Sequence, residues 1–120
     1  MKKKTFLVTG GTGFIGSNIC KLLIKKNFDV KIFDNNSRGS IVKIRDIKTK
    51  LRFINGDIRN YNKLNISLKG VDAVIHLAYV NGTKFFYKKP YEILDIAVNG
   101  LINILDFCKK KKSKKLLFSF

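Results

Sequence analysis

The sequence predicts an α/β fold in which a parallel β-sheet carries helices on both faces. Three observations predict it. Short, continuously apolar runs recur along the chain, as in strands buried on both sides. Segments with a 3.6-residue apolar period separate those runs, and turn residues, glycine above all, stand at the junctions. At 120 residues the chain has the usual size of one domain. Its 45% hydrophobic and 28% charged content is that of a folded globular chain and excludes a disordered one.

Taken in order, Phe6, Leu7 and Val8 form the first strand, closed by Thr9-Gly10-Gly11. Helical spacing follows, with Ile15, Ile19, Leu22 and Leu23 expected on one face and Asn27 as the stop. Val30 to Phe33 is a second strand ending at Asp34, and Leu51 to Ile54 a third ending at Gly56-Asp57. Between them, Asn35 to Lys50 reads as a loop and a short helix through Ile41, Ile44 and Ile47. Tyr61 to Leu68 is a further short helix, and Ala73 to Leu77 the fourth strand. Pro90 suits the first turn of a long helix whose apolar positions are Ile93, Ile96, Ala97, Leu101, Ile104, Leu105 and Cys108. Leu116 to Phe120 is a fifth strand. Right-handed crossovers between strands that alternate with helices imply a parallel, Rossmann-type sheet in the order 3-2-1-4-5.

The formal charge of +17 raises the question of a polyanion partner. The lysines, however, are scattered, two clusters fall at helix carboxyl ends where cations complement the dipole, and no nucleic-acid-binding signature is present. They read as solvated surface, with no nucleic acid among the expected partners. Cys20 and Cys108 are too few for a disulfide scaffold and sit among apolar residues, as small core hydrophobes in a reducing compartment do. The amino terminus lacks the long apolar run of a signal peptide, and no stretch has the length of a membrane span. The expected location is cytoplasmic.

The strongest chemical signal is Thr9-Gly10-Gly11-Thr12-Gly13-Phe14-Ile15-Gly16, between a strand and a helix. A diphosphate is held by backbone N–H groups at a helix amino end, and side chains would block its approach. Gly10 suits the tight turn, Gly13 the close approach and Gly16 the packing of helix on strand. A second glycine frame begins at Gly11, and the glycines themselves do not separate the two. Asp34 closes the second strand about 20 residues beyond the glycine turn, where a carboxylate accepts hydrogen bonds from an adenosine ribose and repels a 2′-phosphate. NAD is therefore expected over NADP. Arg38 nearby argues the other way, since an Arg there accommodates a 2′-phosphate.

The glycine string resembles the TGxxGxxG of the extended short-chain dehydrogenase/reductase family, the nucleotide-sugar epimerases and dehydratases. Asp34-Asn35-Asn36-Ser37-Arg38-Gly39 is similar to that family's DNxSxG segment, Gly56-Asp57-Ile58-Arg59 to its GDIRD, and His76-Leu77-Ala78-Tyr79 to its HLAA. The resemblance covers essentially the whole chain. It implies NAD as cofactor, contacted by Gly10, Gly13, Phe14, Ile15, Gly16, Asp34, Asn35, Ser37, Arg38, Asp57, Ile58, Leu77, Ala78 and Tyr79. Asp57 and the backbone after it would hold the adenine; the alternative is that Asp57 caps the next helix. His76 reads as a buried core histidine. Tyr79 stands where the family has alanine, either narrowing the pocket or stacking on the cofactor. Phe85-Phe86-Tyr87 lines a substrate cleft or forms a packed loop. On the long helix, Ala97-Val98-Asn99-Gly100-Leu101 replaces the family's N-V-x-G-T. The displacement of the Asn by two positions turns it roughly 200° around the helix, so Asn99 does not replace the missing side chain.

The family's chemistry, by the same resemblance, uses a Ser or Thr after the fifth strand and a Tyr-x-x-x-Lys on the next helix, with hydride moving to NAD. Neither is here. Four positions after Tyr61, Tyr79, Tyr87 and Tyr91 stand Asn65, Thr83, Tyr91 and Asp95. No residue of this chain is assigned a catalytic role. A stop at Phe120 leaves a hydrophobic strand edge unpaired, so residues 1–120 read as an incomplete NAD-binding domain from a truncated open reading frame, followed in the complete protein by catalytic and substrate-binding parts. Such a chain by itself is expected to bind NAD weakly or not at all. The complete protein would take a nucleotide sugar and form a homodimer. Two other readings are a non-catalytic dinucleotide-binding redox sensor and a reductase or dehydrogenase with a non-nucleotide substrate.

Overall fold

The computed structural model describes residues 2–36, 39–78, 83–110 and 115–118. Strands β1 (Thr5–Thr9), β2 (Asp29–Asp34), β3 (Arg52–Asn55), β4 (Ala73–His76) and β5 (Lys115–Phe118) form one sheet in the order β3-β2-β1-β4-β5. All four pairings are parallel, with Val8 beside Ile32 and Ile75 at the centre. The helices are α1 (Phe14–Lys25), α2 (Tyr61–Ser67), α3 (Thr83–Lys88) and α4 (Pro90–Lys110). The expected strand order and parallel pairing are therefore those of the structure.

The two-sided burial explains the unbroken apolar strands. Leu7, Phe33 and Val74 face a core built with Leu64 and Leu68, together with Ile104 and Phe107 of α4. Val8, Val30 and Ile32 face the other side, against Cys20 and Leu23 of α1 and against Ile44 and Ile47. The segment between β2 and β3 is a pair of 3₁₀ turns, Ile41–Ile44 and Lys48–Lys50, where the sequence suggests a short helix. Its isoleucines do pack as expected.

Two helices turn other faces inward than their spacing predicts. In α1 the buried residues are Gly16, Ser17, Cys20 and Leu23, while Ile15 and Leu22 are more than half exposed. The physical cause is Gly16: a Cβ there would lie 2.2 Å from the Gly10 carbonyl oxygen, so glycine against the turn sets the helix rotation. In α4 the buried residues are Gly100, Ile104 and Phe107, and Leu105 faces out. Here Gly100 lets α4 close on Ile58, whose Cδ1 would be 2.3 Å from an added Cβ. Asn27 ends α1 as expected, in the left-handed conformation at φ 70°.

Candidate functional site

β1, β2, β3 and β4 are parallel, so the loops that leave them open at one end of the sheet, on either side of the point where chain order reverses around β1. There they enclose a cleft of about 400 Å³. Every expected cofactor contact among the described residues lines it: Gly10, Gly13, Phe14, Ile15, Gly16, Asp34, Asn35, Asp57, Ile58, Leu77 and Ala78. Ser37, Arg38 and Tyr79 lie outside the described residues.

The glycine turn is built for close approach. Gly10 has φ +73°, and a side chain on it would run into the Leu77–Ala78 backbone at 2.9–3.0 Å. Gly13 is the N-cap of α1 and brings no side-chain acceptor, so the first-turn N–H groups are left to point into the cleft. Gly11 packs instead on Ile32, away from the cleft lining, which separates the two glycine frames geometrically in favour of the one starting at Gly10.

Asp34 is buried, and its carboxylate is already largely occupied. Oδ2 accepts from the Thr12 backbone N–H at 3.0 Å and from the Thr12 hydroxyl at 2.6 Å; Oδ1 accepts from the Asn36 N–H at 2.7 Å. With two acceptor positions per oxygen, the bonds among the described residues leave one on Oδ1. Asp34 lines the cleft, and that position is available to a sugar hydroxyl.

Asp57 belongs to a charged knot. Arg59 donates from Nε to Asp57 Oδ1 at 3.0 Å and from Nη2 to Oδ2 at 2.6 Å, while its Nη1 donates to Asp95 Oδ2 of α4 at 2.8 Å. These bonds hold the Asp57 carboxyl below the usual carboxylate range and raise the Arg59 guanidinium further. Capping of α2 falls to Asn60, whose side chain accepts from Lys63 N–H, so the alternative role for Asp57 is overturned. Asn99 bonds Asp95 on the exposed side of α4, as its displacement along the helix implied.

At the β4 end, the Thr9 hydroxyl oxygen accepts from the Leu77 and Ala78 N–H groups at 3.0 and 3.1 Å and lies 2.6 Å from His76 Nδ1. His76 is buried, and burial pushes its imidazole down to about 4. It is a core histidine, as expected. Burial likewise pushes the Cys20 thiol up to about 12, so it is inert at neutral pH. Phe86 and Tyr87 form an exposed edge-to-face pair on the short helix α3, so these two rings are not packed inside; the Phe85 side chain lies outside the described ones.

A model of the NAD dependent epimerase/dehydratase family matches residues 6–119. The chain belongs to that family. A putative UDP-glucose 4-epimerase of Methanocaldococcus jannaschii is 40% identical over 114 residues, 94% of this chain and 36% of the relative. The UDP-glucose 4-epimerase of Klebsiella pneumoniae is 34% identical over 119 residues, 94% of this chain and 86% of the matched sequence. Among solved structures, UDP-glucose 4-epimerase from Bifidobacterium longum in complex with NAD+ and UDP superposes with a TM-score of 0.85 at 30% identity. That match covers 97% of this chain and 36% of the other. This member of the epimerase/dehydratase family thus spans about a third of the length of most relatives it matches.

Sequence reasoning missed Thr12, which orients Asp34, and the Arg59–Asp95 tie between a loop and α4. It also missed Phe33, Lys43 and Ile96 in the cleft wall. A signal existed for Thr12, a polar residue inside the glycine string. None existed for Ile96 or Asp95, which reach the site from 36 or more residues away only because α4 crosses the loop after β3.

Proposed function

We propose that the cleft binds NAD and that the chain is the cofactor-binding part of a nucleotide-sugar epimerase or dehydratase. The observation that carries this reading is convergence: an uncapped helix amino end, the acid closing β2 and the acid-plus-backbone corner after β3 all open onto one cleft. In this reading the diphosphate rests on the N–H groups of Phe14 and Ile15 over Gly10, Gly13 and Gly16. Asp34 takes one ribose hydroxyl, with Asn35 beside it. Asp57 and the Ile58 backbone receive the adenine, against the apolar wall of Phe33 and Ile96. Leu77 and Ala78 lie toward the nicotinamide. Ser37, Arg38 and Tyr79 complete the set on the strength of the family resemblance.

Bound NAD supplies a hydride acceptor for a carbon bearing a sugar hydroxyl. The Tyr-x-x-x-Lys that takes the sugar's proton in the resembled family has no counterpart in this sequence. Turnover of a nucleotide sugar therefore belongs to the complete protein, in which residues 1–120 form the dinucleotide-binding domain. The same reading makes that protein a cytoplasmic homodimer, consistent with free Cys20 and Cys108 and with the exposed apolar positions of α4. Among the described residues no helix is long and apolar enough to cross a membrane.

Saturation-transfer difference NMR suits the weak binding expected of this chain alone. The adenine and nicotinamide protons of NAD should be saturated, and NADP should bind at least about tenfold more weakly because the Asp34 carboxylate faces its 2′-phosphate. Tighter NADP binding would reverse the cofactor assignment, with Lys43 at the cleft the first suspect. Absence of transfer from both dinucleotides in the complete protein, where the rest of the sheet is present, removes the reading altogether.

A further inference from the structure

The loop after β3 meets the cleft through Asp57 and Ile58, whereas Arg59 does not line it. Of the ties that hold the loop, three bear on Asp57 and Ile58. Asn103 of α4 donates to the Ile58 carbonyl at 2.9 Å, and the Asn60 N–H reaches the Asp57 carbonyl at 2.8 Å. Both act on the backbone and leave the Asp57 side chain free to turn about its own bonds. The third tie is Arg59, and among the described residues it alone acts on the carboxylate. Its backbone N–H donates to Oδ1, its Nε–H is shared between Oδ1 at 3.0 Å and Oδ2 at 3.2 Å, its Nη2 donates to Oδ2, and its remaining Nη1 is anchored to Asp95. A planar fork that binds both oxygens fixes the plane of a carboxylate as a point charge does not.

Resting on the dinucleotide reading of the cleft, we propose that Arg59 is the positioning residue for base recognition: clamped between Asp57 and Asp95, it orients the Asp57 carboxylate to accept the exocyclic amino group of adenine. The consequence is selectivity for a purine carrying an amino group at position 6 over one carrying a carbonyl. A carbonyl oxygen set against a fixed carboxylate is repelled, whereas an untethered carboxylate swings into solvent and discriminates little. Asp57 is about a third exposed, so the discrimination stays near the lower end for a hydrogen bond to a charged group.

The test compares NAD with nicotinamide hypoxanthine dinucleotide, which differs at that position and in the proton on the neighbouring ring nitrogen, by the same NMR titration. The unsubstituted chain should prefer NAD about tenfold. In Arg59→Gln, and equally in Arg59→Lys, which keeps the charge and loses the fork, the preference should shrink to within about twofold through weaker NAD binding. Circular dichroism establishes that each variant is folded. If either substitution unfolds the chain, Asp95→Asn tests the same clamp from α4 and should reduce the preference about threefold. An unchanged preference in the folded variants overturns the proposal, as does an equal loss of affinity for both dinucleotides, which would make Arg59 a brace for the loop only. Failure of the unsubstituted complete protein to bind either dinucleotide refutes the cofactor reading itself and takes this proposal with it; binding of both without preference refutes the proposal alone.

Discussion

Thr12 contributes two of the three hydrogen bonds that hold Asp34, so the acid at the end of β2 is oriented from the glycine turn of the neighbouring strand. A similar economy operates at Thr9, whose oxygen receives two backbone N–H groups and has only its own hydrogen left to give, to His76 Nδ1. The imidazole is therefore neutral, with its proton on Nε2. The pH dependence follows from the sign of the shift. The folded value, about 4, lies below the ordinary 6.5, so the unfolded chain binds a proton that the folded chain excludes between those two limits. Stability is whole above pH 6.5 and is lost as pH falls through the window, by about 3 kcal/mol in all. His76 is the single histidine in the sequence, which makes the experiment clean. Urea unfolding should show a loss of about 2 kcal/mol between pH 7 and about pH 5. The slope should vanish in His76→Gln, whose side-chain oxygen can still accept from Thr9; a slope that persists would place the titration elsewhere.

Helices α1 and α4 show how far a periodic pattern carries. Both are helices, as their spacing demands, yet each is apolar on more than one side, and glycine rather than bulk decides which side is buried. Gly16 seats α1 on the Gly10 carbonyl and Gly100 seats α4 on Ile58. One result in α4 is an outward row, Leu94, Val98, Ile102 and Leu105, spaced to form one stripe. The homodimer proposed for the complete protein would use this stripe as its contact. Introducing Val98→Glu together with Ile102→Glu should raise the dimer dissociation constant about thirtyfold or more, read by analytical ultracentrifugation, with the circular dichroism of each subunit intact. A dimer of undiminished affinity would exclude α4 from the interface.

At the scale of the molecule, the charge of +17 is spread over chain ends and helix ends, and no described lysine joins the charged knot at Asp57. Retention on duplex DNA should accordingly fall off with a shallow salt slope, of magnitude no more than about 2, where an organised phosphate-binding surface gives several. A steep slope would point to a nucleic-acid surface on this chain. The parallel sheet, its strand order and the loops that build the cleft were legible in the sequence, because buried strands and glycine turns are local consequences of residue type. Gly10, Asp34 and Asp57 announced themselves by standing at strand ends. Only the tertiary structure decided the inward faces of α1 and α4, the acceptor capacity left on Asp34, the neutral His76 and the Arg59 clamp. Each of these depends on two segments far apart in sequence meeting at hydrogen-bonding or van der Waals distance, and such a meeting is decided by packing, which no single segment encodes.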